Sequence, residues 1–146
     1  MNMERLSMVD PELAEELRAA DARSRRRAAL VAASVALEHV EVDDLLVSRA
    51  LETLQQGNLD ESLRLELSAL ADVLDTEYWT LQSAYEEGGA SEESFLCAFR
   101  RARAVAAVCF ALHPDDLYAA LESAYEAYSA VEDGDSVLKA VAKRDV

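Results

Sequence analysis

Apolar residues return every three or four positions through most of this chain, and no stretch alternates apolar with polar as a half-buried strand does. Between residues 58 and 87, Leu63, Leu67, Leu70, Leu74, Leu81 and Tyr85 share one face at about 100° per residue, which predicts a long amphipathic helix. Breakers and caps divide the rest. Asp10-Pro11-Glu12 joins an N-cap to a first-turn proline and acid, and opens a predicted helix that runs to about Val40. Asp43 caps a second to Gln56, stopped by Gly57; Asn58 with Glu61 has the capping-box form and opens the third, to about Glu87. Ser91 with Glu92 and Glu93 starts a fourth, Pro114 with Asp115 and Asp116 a fifth to Val131, and Asp135 a short sixth. The apolar runs Ala28 to Leu37 and Ala104 to Leu112 are too short for a bilayer, which takes about 20 residues, and read as core helices.

Self-similarity suggests how these helices stack. Shifted by forty positions, residues 75–90 match residues 115–130 at eight of sixteen places. Arg25-Arg26 before Ala36-Leu37 is echoed by Arg100-Arg101 before Ala111-Leu112, and each leads to an Asp-Asp-Leu run. The expected fold is therefore all-α, one domain over residues 1–146, with five or six helices as stacked antiparallel hairpins in a duplicated hairpin or short α-solenoid. Residues 1–9 and 144–146 are expected to be flexible ends.

Charge narrows the function. The chain has 146 residues, 14 Lys and Arg against 29 Asp and Glu, and a formal net charge of -15. Such a field repels phosphate backbones and anionic lipid headgroups, so direct nucleic-acid and membrane binding are disfavoured. Half of the positive charge lies in Arg23, Arg25, Arg26 and Arg27 and in Arg100, Arg101 and Arg103. These blocks are expected to meet acids of neighbouring helices within the molecule. Cys97 and Cys109 lie about 18 Å apart along one predicted helix, too far for a disulfide, and read as small core residues of a reduced compartment. Met1 to Asp10 has no apolar stretch of signal-peptide type, and the expected location is cytoplasmic.

The motifs of chemistry are missing. His39 and His113 fall at helix C-termini, where a histidine satisfies orphan carbonyls, and no Ser-His-Asp, Cys-His, H-x-x-x-H or glycine-rich phosphate motif accompanies them. Asp43-Asp44 and Asp115-Asp116 sit in first helical turns as capping and dipole partners. No catalytic, metal or cofactor site is expected, and the protein is not expected to be an enzyme. On the fifth helix Tyr118, Leu121, Tyr125 and Tyr128 form a core stripe, with Glu122 and Glu126 opposite.

Trp79 is the residue that points to a partner. It projects away from the leucine face among Asp72, Asp75, Gln82 and Glu86, as an interface anchor ringed by charge does. These five residues are the candidate partner-binding site. In size, charge and helical composition the whole chain resembles the small acidic immunity proteins that bacteria keep against secreted toxins. That resemblance implies an inhibitor that masks the active surface of a basic, nuclease-like toxin domain. A helical-repeat interaction module or scaffold subunit, homodimeric or not, is the alternative.

Overall fold

The computed structural model describes residues 5–145, and every regular element in them is an α-helix: α1 (Arg5–Val9), α2 (Pro11–Ala19), α3 (Ala22–His39), α4 (Leu45–Gln55), α5 (Glu61–Glu86), α6 (Glu92–Ala111), α7 (Asp116–Ala130) and α8 (Gly134–Ala142). Eight helices among the described residues replace the five or six expected, and the difference arises in the first forty positions.

The single helix expected from Pro11 to Val40 is two. Ala20 turns to an extended conformation, and the Asp21 carboxylate accepts the Ser24 N–H at 2.8 Å, capping α3. Arg25 then donates to the freed carbonyls Leu17 O (2.9 Å) and Arg18 O (2.7 Å) at the end of α2, so the break leaves few polar groups unmet. Where a flexible end was expected, residues 5–9 form α1 with Leu6 fully buried; residues 1–4 and 146 lie outside the described residues. At the other end Arg144 donates to Ser24 Oγ at 2.9 Å and to Val141 O at 3.1 Å.

Two other starts shift by one or two residues. Asp44, not Asp43, caps α4 through the Leu46 N–H at 2.8 Å, and Asp60, not Asn58, caps α5 through the Leu63 N–H at 3.0 Å. Asn58 instead closes α4. Gly57 takes φ 76°, so that Asn58 N–H reaches Thr53 O and Gly57 N–H reaches Leu54 O, each at 3.0 Å. Gly88 closes α5 in the same way with φ 82°.

Helices α3, α6 and α7 pack on one another through buried alanines, including Ala28, Ala32, Ala104, Ala107, Ala120 and Ala124. Small side chains let the axes approach closely. One apolar cluster joins this centre to α1, α2 and α8, and a second joins it to α4 and α5. Contacts such as α3 with α7, α4 with α6 and α1 with α7 run out of chain order. The fold is therefore a bundle around three central helices and lacks the neighbour-only contacts of stacked hairpins in a solenoid. Helix α5 packs on α6 and α4.

Candidate protein-binding face

Helix α5 is 26 residues long, about 39 Å at 1.5 Å per residue, and only its first half enters the core. Leu63, Leu67 and Ala71 are its buried residues. Beyond Ala71 it is held against the N-terminal half of α6 by an aromatic row: Tyr78 lies 5.3 Å from Phe99 and 6.2 Å from Phe95, and Tyr85 lies 5.0 Å from Phe95, between ring centroids. Aromatic rings at such spacings attract beyond their buried area, which suits a seam with little else to pack.

Trp79 stands outside that seam. It leans on Tyr78, centroids 5.0 Å apart, and remains 61% exposed. Asp72 and Glu86, two turns before and after it, are exposed as well. The other two expected site residues differ. Gln82 is half-buried, and Asp75 is not a free charge: Arg103 of α6 donates to both its oxygens, at 2.7 and 2.9 Å. Tyr85, placed on the leucine face by its angle, is 41% exposed even though its ring meets Phe95 of α6. Leu65 and Val73 are also exposed, so the outer arc of α5 carries more apolar surface than Trp79 alone.

The electrostatics of this face follow from one stretch of sequence. Residues 65–99 contain Glu66, Asp72, Asp75, Glu77, Glu86, Glu87, Glu92 and Glu93 and no Lys, Arg or His. Arg103 neutralises Asp75, and Arg101 neutralises Glu77 at 2.8 Å. Among the described residues no ion pair holds the other six, although the Tyr85 hydroxyl reaches Glu92 at 3.5 Å. Four of them, Glu86, Glu87, Glu92 and Glu93, surround the Gly88-Gly89 turn at the end of the hairpin.

Five of the seven arginines in the two blocks, Arg25, Arg26, Arg27, Arg101 and Arg103, act within the molecule, while Arg23 and Arg100 meet no acid among the described residues. Arg25 pairs with Asp116 of α7 at 2.9 Å, and Arg26 donates to His113 O (2.7 Å) and Pro114 O (2.6 Å) beyond the end of α6. Arg103 does more. Besides Asp75 it holds Glu126 of α7 at 2.6 Å, and Arg5 of α1 lies 3.1 Å from the second oxygen of Glu126 and 2.8 Å from Glu122. Glu126 is 1% exposed, whereas its angle on α7 had assigned it to a polar outer face. Helices α1 and α6 cover that face. Burial pushes the Glu126 carboxyl above the usual carboxylate range, the nearby Glu122 adds to the push, and Arg103 and Arg5 only partly offset it. Two guanidiniums and three carboxylates thus tie α1, α5, α6 and α7 together, a cluster that sequence spacing gave no means of assembling. The alanines on both flanks of α7 were the available sign that it is surrounded.

His39 fills its expected role, its Nδ1 3.0 Å from Val35 O, while His113 Nδ1 accepts the Asp115 N–H at 3.0 Å instead of meeting a carbonyl. Cys109 is half-buried with its thiol on Arg64 O at 3.5 Å, and burial pushes that thiol's pKa up. Cys97 is exposed, contrary to its assignment as a core residue. Among the described residues no three His, Cys, Asp or Glu side chains gather as a metal site, and no helix is long and apolar enough to cross a membrane. No family model, curated protein or solved structure matches the chain.

Proposed function

We propose that this protein is a protein-binding inhibitor that neutralises a basic, nuclease-like toxin inside the cell by laying the outer face of α5 over its active surface, without catalysis or cofactor. The observation that carries this reading is Trp79, 61% exposed between the exposed carboxylates Asp72 and Glu86. A large aromatic side chain left in water costs free energy that a partner's pocket recovers, and the carboxylates around it select a cationic pocket and speed encounter. A second copy of the chain fits poorly there, because the same face would set acid against acid.

The test uses the protein as bait in cells that natively make it, followed by kinetics on what it captures. A basic protein should be retained by the parent, released as salt rises, and bound about 30-fold more weakly by Trp79→Ala, chiefly through faster dissociation. Asp72→Lys with Glu86→Lys should mainly slow association. Trp79→Ala should melt within a few degrees of the parent. A variant that melts much lower yet binds its partner at parental strength overturns the reading.

A further inference from the structure

On the flank of α5 away from Trp79, the α3–α4 connection, α5 and α6 enclose an open cavity of about 380 Å³. Its apolar lining is Val42, Leu70 and Leu74, and its acidic lining includes Glu41, Asp43 and Glu77. Arg101 of α6 also lines it, with Nη2 on Glu77 at 2.8 Å and a buried Nε that has no acceptor among the described residues. The cavity therefore already receives one guanidinium from its own chain, seated beside leucines with its head on a carboxylate. Asp44 is occupied in capping α4, whereas Glu41 and Asp43 are exposed and meet no cation among the described residues.

A long basic side chain has the matching chemistry, an apolar stem and a charged head that takes a carboxylate in bidentate fashion. We infer that this groove receives an arginine from a segment of the basic partner protein, its stem against Leu70 and Leu74 and its guanidinium on Glu41 and Asp43. Charge complementarity selects that occupant over an acidic segment or a second copy of this net-negative chain. Val73, 63% exposed, lies on the outer arc of α5 between Trp79 and the groove, so one partner can cover both. The inference rests on the reading that the partner is basic, and it adds where one of that partner's side chains goes.

The full chain, labelled with ¹⁵N, is titrated with the doubly capped peptide Arg-Leu-Arg. Saturable shift changes should centre on Val42, Asp43, Leu70, Leu74 and Glu77. Glu41→Lys with Asp43→Lys should weaken binding about fivefold or more, while the charge-matched control Glu12→Lys with Glu16→Lys, on α2, should leave the groove shifts in place. A capped Glu-Leu-Glu peptide should not move them. Shifts spread over carboxylates across the whole surface, or equal losses in both double variants, overturn the inference, because either means diffuse attraction to a negative protein. Circular dichroism confirms that each variant is folded. Against the captured partner the two proposals separate. If Trp79→Ala loses the partner and Glu41→Lys/Asp43→Lys keeps it, the groove assignment falls and the inhibitor reading stands; if neither variant weakens binding, both fall.

Discussion

Residues 75–86 and 115–126 share Asp, Tyr, Leu, Ser, Ala, Tyr and Glu at matching places, the first within α5 and the second from the N-cap of α7 onward, yet one lies at the edge of the bundle and the other at its centre. Ser83 is exposed and Ser123 fully buried; Glu86 is in solvent and Glu126 is enclosed by two arginines. Tyr85 is partly open, whereas the Tyr125 ring lies under the Arg5 guanidinium at 4.5 Å. The shared residues make a helix with an apolar stripe. The differing ones decide whether it is surrounded: α7 has Ala119, Ala120 and Ala127 where α5 and its C-cap have Trp79, Thr80 and Glu87. Small residues on the remaining faces let α3 and α6 close on α7, and the bulky or charged residues of α5 hold that side open to solvent.

The severest way to break the comparison is to exchange that difference. Ala119 is completely buried, so Ala119→Trp forces an indole into a packed centre and should cost about 3 kcal/mol or more, enough to abolish a cooperative thermal transition. The reciprocal Trp79→Ala should leave the melting curve nearly in place. If Ala119→Trp folds with a parental melting temperature, α7 is not the enclosed helix described.

A smaller effect sharpens it. Leu121 is 4% exposed and its counterpart Leu81 is half-buried. Leu121→Ala should cost about 2–5 kcal/mol by leaving a cavity, and Leu81→Ala about 1 kcal/mol, because solvent can fill its place. Denaturant midpoints at constant m-value measure both. Equal losses would mean that the outer half of α5 belongs to the core.

How much of this was legible depended on how local each determinant is. The caps at Asp10, Ser91 and Asp115 read correctly because a capping side chain bonds an N–H within its own first turn. Where two candidates stood within two residues, Asp43 with Asp44 and Asn58 with Asp60, local chemistry could not choose. Asp21 was hidden among good helix formers, and the arginine that stabilises its break is recognisable only once α2 and α3 meet. Trp79 was legible as outward-facing from its angle alone. Asp75 was not, because Arg103, the group that takes it, comes from another helix. Glu126 failed for the same reason twice over, since α1 and α6 both come from elsewhere in the chain to cover it.

The smallest expected effect concerns that buried carboxylate and its exposed counterpart. The folded-state pKa of Glu126 is raised above its unfolded value, chiefly by desolvation. Below the unfolded pKa the group is protonated in both states and costs nothing; as pH rises through the folded pKa, the native state must ionise a carboxyl that water would stabilise better, and stability is lost. Glu126→Gln keeps the shape and one acceptor oxygen but removes that charge. Arg103 retains Asp75 and Arg5 retains Glu122, so neither guanidinium is stranded. The variant should therefore match the parent near pH 4 and equal or exceed it by up to about 1 kcal/mol at pH 7, in keeping with the weak net worth of buried ion pairs. Glu86→Gln, on the exposed repeat position, serves as the control that removes one carboxylate outside the enclosed cluster. Thermal melts of both variants across pH 4 to 8 decide the matter. If Glu126→Gln melts several degrees below the parent at pH 7 and recovers at pH 4, the two arginines outweigh burial and Glu126 is a net stabilising ion, which would reverse the sign assigned to its enclosure.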